Sequence, residues 1–586
     1  MMTSLQQELR FLVETHLAFI YDEASYPELE HSQLAKQLIQ LMGLDECCVK
    51  PEVHTSLWDQ QDVMVISYGD SVLQDGETPL HTLNQFLTQR LAGTINCLHI
   101  LPFFPYSSDD GFSVIDYTQV NDGLGGWQEI EEISSQFKLM SDLVINHCSS
   151  RSRWFDNFKQ CKQPGVDYFI ETDPATDTSA VVRPRTSPLL REVETLEGKK
   201  YVWCTFSHDQ VDLNFANPQV LAEFVNIIKL YLDRGVKIFR LDAVAFLWKE
   251  LGTNCLHHPK THEIIRLLRT LVEHHSADAI IITETNVPNH ENLSYFGNAN
   301  EAHAVYNFSL PPLLINALVT GSSQYLKAWQ MTMPPAQQGT FYFNFIASHD
   351  GIGLRPVEGL LSETEIDTLI NTMQQFGARI SWRAADGGKN KAYEINVSLF
   401  DALQGTVNGP DKWQIQRFLS AHAIMLALEG IPAIYIHSLF ATNNYQEGVE
   451  LTKNNRTINR YKWNSNELGA LLDNPQTHHA KIFTQLTALI KTRRKQPAFH
   501  PDATQFTLHL GDDIFGFWRQ SPRRDQSIFC INNVTDKQVV IPLSSINLIS
   551  LVTWVDLISG QAFEDLHKDL ILEPYQSVWL TNKAGL

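Results

Sequence analysis

An apolar run breaks on two charged side chains in Val236-Lys237-Ile238-Phe239-Arg240-Leu241-Asp242-Ala243-Val244. A run of β-branched and aromatic residues of this kind predicts a buried strand with Asp242 at its carboxyl end. Two further apolar runs end in the same way, one on Glu284 and one on Asp350. Three strands that each deliver a carboxylate to one end predict a catalytic face.

Apolar runs alternate with helical patterns through most of the remaining chain. The runs that we interpret as strands are residues 63–68, 95–102, 139–146, 236–244, 279–284, 302–308, 340–348 and 431–436. Eight strands separated by helices are typical of an α/β protein built on a (β/α)8 TIM barrel. Catalytic groups of such barrels lie at the carboxyl ends of several strands. Asp242, Glu284 and Asp350 end the predicted fourth, fifth and seventh strands.

The rest of the chain is expected to form additions to this barrel. We expect residues 1–62 to form an N-terminal helical extension and residues 63–497 to form the catalytic barrel. Residues 498–586 have the pattern of short alternating strands, which predicts a C-terminal antiparallel β-domain. Two connections within the barrel are too long for a single helix. The connection after the third strand, 148–213, predicts an inserted lid domain, and 359–410 predicts a mobile loop over the same face.

Charge and cysteine content limit the partners and the compartment. The chain has 586 residues, with 45 Lys and Arg against 66 Asp and Glu, so its net charge of −21 repels nucleic acid and anionic membranes. We therefore expect neither as a partner. Eight cysteines are scattered without paired spacing, and the first residues lack a basic segment leading into an apolar core. These features predict reduced thiols and a cytoplasmic location.

The strand-end residues fit the chemistry of glycoside cleavage with retention. Two carboxyl groups about 5 Å apart across a glycosidic bond serve as nucleophile and as general acid and base. Arg240 lies two residues before Asp242, on the same strand face, and can keep that carboxylate ionised. Burial among isoleucines would raise the pKa of Glu284, and His147 and His349 can donate to sugar hydroxyls.

Each of these residues also has a purely structural interpretation. Arg240 with Asp242 is more readily explained as a structural ion pair when it is taken alone, and Glu284 could stand at an exposed strand end. His147 and His349 singly are more often core histidines. Their joint occurrence at four predicted strand ends favours a catalytic site.

The same residues stand in four ordered blocks that resemble those of the α-amylase superfamily, glycoside hydrolase family 13. The blocks are Asp142-Leu143-Val144-Ile145-Asn146-His147, Arg240-Leu241-Asp242-Ala243-Val244, Glu284 and His349-Asp350. Further segments are similar to the sucrose-phosphorylase subfamily: Leu101-Pro102-Phe103-Phe104, Asp109-Asp110-Gly111-Phe112, Arg183-Pro184-Arg185 and Ile458-Asn459-Arg460.

This resemblance implies a role for each matched residue. Asp242 would be the nucleophile, Glu284 the acid/base and Asp350 the transition-state stabiliser. The residues that would line the glucose subsite are Asp109, Phe112, His147, Arg240, His349 and Arg460. Phosphate would replace water as the acceptor, bound by Arg185 of the lid and Tyr393 of the later loop. The subfamily implies no cofactor and no metal, although Asn146 matches a calcium ligand of many amylases.

Two positions depart from the sucrose-specific members of the subfamily. Those members carry a tyrosine and a histidine where this chain has Phe246 and Asn286, and both positions border the acceptor subsite. The N-terminal extension and the segments 283–288, 348–354 and 392–397 look most like the glucosylglycerate phosphorylases. The resemblance thus implies reversible phosphorolysis of a small α-glucoside, with 2-O-α-glucosylglycerate preferred, to α-D-glucose 1-phosphate through a covalent glucosyl-enzyme.

The identity of the acceptor and the assembly state stay open at this point. Lys391, together with Lys389, could supply positive charge for a glycerate carboxylate, or both could be ordinary solvated loop lysines. Sucrose phosphorylase and glucosylglycerol phosphorylase are the nearest alternatives, and a hydrolytic α-glucosidase or an inactive sugar-binding barrel are more distant ones. A homo-oligomer is possible, since the N-terminal helices could pack on the barrel or on a second chain.

Overall fold

Eight short parallel strands close into a barrel in the computed structural model, which describes residues 3–52, 55–384, 390–546, 548 and 553–583. We label them β1 to β8: Met64–Ser67, Cys97–Ile100, Lys138–Leu143, Val236–Leu241, Ile280–Thr283, Ala304–Tyr306, Phe341–Phe345 and Ile431–Tyr435. Neighbouring strands pair in parallel throughout, and β1 pairs with β8 to close the ring. Each predicted run overlaps one of these strands, so the prediction of a (β/α)8 barrel is confirmed.

The barrel strands are buried on both faces, which explains why the sequence shows continuous apolar runs instead of alternation. All residues of β5, β6, β7 and β8 are buried. Entry into β8 requires a glycine, because Gly430 has a φ of +120° and a Cβ there would lie 2.2 Å from the carbonyl oxygen of Tyr342.

Helices follow the barrel strands and surround them. They are Pro79–Leu91, Trp127–Ser134, Pro218–Asp233, Pro259–His275, the short Asn289–Leu293, Leu310–Thr320 with Gln324–Thr332, Gln414–Ala427 and His478–Arg494. Three of them begin on a proline, whose fixed φ suits the first helical turn and whose missing N–H is not needed there. Among the described residues, no helix is both long enough and apolar enough to cross a membrane.

The predicted N-terminal helices are present as α1 (Ser4–Ile20) and α2 (His31–Leu41). Leu9, Val13, Leu17 and Ile20 form the buried stripe of α1, which packs on the barrel helix Pro259–His275. α2 packs on the helix Pro218–Asp233. The two helices therefore cover one side of the barrel of their own chain.

The two long connections both contain regular structure. After β3, strands His147–Ser149 and Gln210–Asp212 pair, and a hairpin of Leu190–Thr195 with Gly198–Trp203 follows the helix Arg153–Lys159. After β7, Ile352–Gly353, Arg379–Ala384 and Asn390–Asn396 form a three-stranded antiparallel sheet next to the helix Glu363–Gln375. We call this three-stranded sheet the acceptor sheet.

The segment 359–410, which we expected to be a mobile loop, contains regular structure in its described part. Its strands Arg379–Ala384 and Asn390–Asn396 pair with each other, and its helix Glu363–Gln375 precedes them. Lys389, which we considered as an acceptor-binding residue, lies outside the described residues.

The C-terminal part is antiparallel, as predicted. Six strands pair in the order Thr504–Leu508, Ile514–Gln520, Ser527–Asn533, Ser577–Thr581, Trp554–Asp556 and Ala562–Phe563, and Val539–Pro542 pairs with Asp569–Leu572. Trp554, Phe529 and Leu580 lie in the buried cluster of this domain.

Candidate active site

The three strand-end carboxylates line one pocket at the carboxyl end of the barrel. Asp242 follows β4 directly, Glu284 follows β5, and Asp350 lies a few residues beyond β7. The other sequence-predicted site residues in the wall of this pocket are Asp109, Phe112, His147, Arg185, Phe246, Asn286, His349 and Tyr393. The structure thus brings together residues from five barrel strands, the lid and the acceptor sheet.

Arg240 lies beneath the pocket and connects two of its carboxylates. Its Nη1 donates to Asp242 Oδ1 at 2.8 Å and also to Asp142, while its Nη2 lies 3.7 Å from Glu284 Oε1. Glu284 also accepts from the backbone N–H of Ala243 at 2.9 Å. One buried guanidinium therefore fixes the relative positions of Asp242 and Glu284.

The protonation of this pair follows from burial and from the position of Arg240. Burial raises the pKa of Asp242 well above its ordinary value, more than Arg240 lowers it, and burial raises the pKa of Glu284 as well. Each carboxylate also opposes ionisation of its neighbours, so the pair holds on to one proton. The shorter Arg240 contact, at Asp242, directs the negative charge to Asp242 and leaves the proton on Glu284.

Asp350 has the opposite electrostatic setting. Burial alone would raise the pKa of Asp350, but Arg456, His349 and Arg460 together lower it well below its ordinary value. Arg456 Nη1 lies 2.6 Å from Asp350 Oδ1, and its Nη2 lies 3.0 Å from Glu394 Oε1. Asp350 is therefore ionised over the physiological pH range.

The pocket floor is formed by neutral histidines and an aromatic ring. His147 donates through Nε2 to the carbonyl oxygen of Phe112 at 2.9 Å, and burial lowers its pKa. Burial also lowers the pKa of His349 to about 3. The ring of Phe112 stacks on that of His349, with centroids 4.9 Å apart and an angle of 4° between the planes. Phe112 is thereby held rigidly in the pocket wall.

The mouth of the pocket carries the residues that we associated with the acceptor. The guanidinium carbon of Arg185 lies 5.5 Å from the ring centre of Tyr393 and 5.6 Å from that of Phe206. Asn286 Nδ2 donates to the Tyr393 hydroxyl at 3.4 Å, and Phe246 packs edge-on against Phe206. Arg185 forms no ion pair within the described residues, so its charge is available to an anion.

Comparison with known proteins agrees with this geometry. The family described as "Alpha amylase, catalytic domain" matches residues 92–352. A glucosylglycerate phosphorylase of Spirochaeta thermophila is 42% identical, covering 89% of this chain and 90% of that protein. Another, of Allomeiothermus silvanus, is 39% identical and covers 99% of this chain and 100% of that protein.

A solved structure is similar over most of the chain as well. Sucrose 6F-phosphate phosphorylase from Thermoanaerobacter thermosaccharolyticum aligns with a TM-score of 0.71 at 25% identity, over 82% of this chain and 95% of that one. The chain belongs to glycoside hydrolase family 13. The resemblance to this family and to its phosphorylase branch, which the sequence motifs indicated, is confirmed.

Besides Arg240, two predicted site residues of this family 13 chain do not line the pocket. Arg460 lies behind its wall, where Nη1 bonds to Asp110 and Nε donates to the carbonyl oxygen of His349 at 2.9 Å. Lys391 lies on the outer side of the acceptor sheet and pairs with Glu358 and Glu363 at 3.3 and 3.1 Å. Neither side chain is part of the pocket wall, although Arg460 Nη2 lies 3.9 Å from Asp350 Oδ1. The binding roles expected of Arg460 and Lys391 stay predictions.

Several residues at the site were not singled out from the sequence. Arg456 and Glu394 face Asp350, and Gln210, Phe206 and Arg355 are further lining residues. His99 and Asp142 form a second layer, in which His99 Nε2 donates to Asp142 Oδ2 at 2.7 Å and Asp142 in turn holds Arg240. The sequence signals for this layer were an ionisable residue within each of two buried strands, His99 in β2 and Asp142 in β3.

The position that matches a calcium ligand in other members of family 13 is satisfied by a lysine. Asn146 Oδ1 accepts from Lys249 Nζ at 2.6 Å, and the same ammonium lies 2.9 Å from Asp212 Oδ2. Within the described residues, no group of three or more His, Cys, Asp or Glu is arranged to hold a metal ion. A buried ammonium therefore supplies the positive charge beside these oxygens.

Proposed function

We propose that this protein is a retaining α-glucoside phosphorylase whose substrate is 2-O-α-glucosylglycerate. The geometry that supports this best is the pair of Asp242 and Glu284 held by one arginine, facing a pocket mouth where Arg185 has no carboxylate partner among the described residues. Relatives at 42% and 39% identity named glucosylglycerate phosphorylase support the choice of substrate.

The first half of the reaction forms a glucosyl-enzyme. Asp242 attacks the anomeric carbon while Glu284 donates its proton to the leaving oxygen of glycerate. Arg240 keeps Asp242 aligned and ionised. Asp350, held in its charged form by Arg456, stabilises the positive charge that develops on the sugar ring.

The second half transfers the glucosyl group to phosphate. Glu284, now deprotonated, accepts the proton of hydrogen phosphate as its oxygen attacks the anomeric carbon, and the bond to Asp242 breaks. Arg185 binds the phosphate with its two-pronged guanidinium, and the Tyr393 hydroxyl donates a further hydrogen bond. The product is α-D-glucose 1-phosphate.

The proposal is tested by measuring glucose 1-phosphate and free glucose with glucosylglycerate, glucosylglycerol and sucrose. Glucose 1-phosphate formed fastest from glucosylglycerate is the expected result, whereas free glucose as the main product would assign a hydrolase. Asp242→Asn should remove turnover while the folded far-UV spectrum is kept. Asp473→Asn, at an exposed surface aspartate, is the matched control and should retain activity.

A cytosolic location is part of the same proposal. All eight cysteines are free, and five of them are buried. Thiol titration of the protein denatured without reductant should find eight thiols per chain. A lower number would indicate disulfides and contradict a reducing compartment.

A further inference from the structure

Arg355 is a pocket residue that the mechanism above does not use. It begins the short helix Arg355–Val357, which follows the acceptor-sheet strand Ile352–Gly353, and it lines the catalytic pocket with Asn286 and Tyr393. Two contacts fix this helix. The N–H of Leu354 donates to the carbonyl oxygen of Tyr393 at 3.0 Å, and the Ser309 hydroxyl donates to that of Pro356 at 3.0 Å.

The side chain of Arg355 has no counter-charge in the part of the chain that the structure describes. Among the described residues it makes no hydrogen bond and no ion pair, whereas Arg240, Arg456 and Arg460 at the same site each bond to a carboxylate. This is unusual in a chain with a net charge of −21, where acidic side chains outnumber basic ones. A half-buried guanidinium that faces a pocket without a partner is a binding group for an anionic ligand.

Among the described residues, the pocket thus has two arginines without carboxylate partners, and they lie on different parts of its wall. Arg185 lies against the ring of Phe206, whose centre is 5.3 Å from that of His147 in the expected glucose subsite. Arg355 comes two residues after Gly353, where a Cβ would lie 2.8 Å from Asn286. Arg355 therefore lies on the side of the pocket where Asn286 borders the expected acceptor subsite.

These two positions match the two anions of the reaction. Phosphate attacks through one of its own charged oxygens and must bind next to the anomeric carbon. Glycerate is joined through its C2 hydroxyl, so its carboxylate lies one carbon further out. We infer that Arg355 binds the carboxylate of the acceptor and thereby selects an acidic acceptor, while Arg185 serves phosphate; this inference rests on the proposed function.

The test uses synthesis from α-glucose 1-phosphate with glycerate or with uncharged glycerol as the acceptor. Arg355→Gln should raise the KM for glycerate by about 10- to 100-fold, the range for loss of hydrogen bonds to a charged group, and leave that for glycerol within about twofold. With α-glucosyl fluoride as donor, the KM for phosphate should stay unchanged. Arg355→Lys, which keeps the charge but loses the planar fork, should give an intermediate KM for glycerate.

Lys391→Ala is the matched comparison, because it removes the other cation that could have bound glycerate. Its KM for glycerate should equal that of the wild type. An unchanged glycerate KM in Arg355→Gln, or an increase in Lys391→Ala instead, overturns the inference and leaves the proposed function intact. A wild type that prefers glycerol to glycerate overturns both. If both Arg355 variants lost activity with glycerate and with glycerol alike, Arg355 would have a structural role, and the inference would also be overturned.

Discussion

At the scale of single residues, the site works by placing opposite charges at fixed positions in a buried pocket. Arg240 bonds to Asp142 and Asp242, whereas Arg456 bonds to Asp350 and Glu394. Asp142 lies behind Arg240, whereas Asp242, Asp350 and Glu394 all line the pocket. Because a buried charge without a partner is costly, each arginine favours the ionised form of the carboxylates that it contacts.

Replacement of Arg456 is expected to change the pH dependence of activity. Arg456 is the main group that lowers the pKa of Asp350 against the effect of burial, so Arg456→Gln should raise that pKa. Activity that needs ionised Asp350 is present above its pKa and is lost as the pH falls through it. The acidic limb of kcat/KM should therefore move to higher pH.

The pH profile of kcat/KM with the natural glucoside measures this shift. Arg90→Gln, which removes a surface arginine paired with Asp473, is the matched control and should leave the limb in place. If the acidic limb of Arg456→Gln lay at the same pH as that of the wild type, the pKa of Asp350 would not depend on Arg456.

At the scale of elements, the barrel and its strand-end carboxylates could be predicted, and the contributions of the long connections could not. The run from Val236 to Leu241 is apolar because β4 is buried on both faces, and such a pattern is visible in the sequence alone. Arg456 and Glu394 meet at Asp350 only through tertiary packing of segments far apart in the chain. Arg456 and Arg460 lie four residues apart, and only the local backbone decides which one enters the pocket.

A β-bulge explains why Lys391 and Tyr393 separate. Residues two apart on a regular strand share a face. In the acceptor sheet, however, Ser381 pairs with Glu394 and Trp382 with Ala392, so Tyr393 is an extra residue that pairs with no residue of the strand Arg379–Ala384. The bulge turns Tyr393 toward the pocket and leaves Lys391 on the outer side. No feature of the sequence predicts this shift.

The acceptor sheet contacts the β5 loop through a glycine, which gives a second prediction. A Cβ at Gly353 would lie 2.8 Å from the side-chain atoms of Asn286, so Gly353→Ala should displace Asn286 from the Tyr393 hydroxyl. We expect a KM for the acceptor that is raised by about tenfold, with a smaller change in hydrolysis of α-glucosyl fluoride. Steady-state kinetics with both substrates measure this.

The double variant Asn286→Ala/Gly353→Ala provides the control. It removes the side chain that the new methyl group would meet, so its acceptor KM should equal that of Asn286→Ala alone. If Gly353→Ala raised the acceptor KM by the same factor with and without the Asn286 side chain, contact with Asn286 would not be the cause of that increase.

At the scale of the whole molecule, the N-terminal helices stabilise the barrel by packing on the helices that surround it. α1 lies on the barrel helix Pro259–His275, where His16 bonds to Glu263 at 2.6 Å and to the Thr270 hydroxyl at 3.2 Å. The Tyr21 hydroxyl donates to the carbonyl oxygen of Phe215 at 3.0 Å. These contacts place the extension within the folded unit and not on a flexible arm.

Two aspartate substitutions, one at a buried and one at an exposed position of α1, test whether the packing of this helix on the barrel stabilises the protein. Leu17 is fully buried against the barrel and Phe19 is 51% exposed, so an aspartate is costly at the first position and tolerated at the second. Leu17→Asp should lower the Tm by roughly 5 °C or more, because a carboxylate without a partner is brought into apolar surroundings. Phe19→Asp should leave the Tm within about 1 °C, as surface substitutions do.

Thermal unfolding followed by circular dichroism, with phosphorolysis measured at a temperature where both variants are folded, tests the idea. Equal Tm values for the two variants would mean that the packing of α1 does not stabilise the barrel. A loss of activity in folded Leu17→Asp would show that the N-terminal extension acts on the pocket as well.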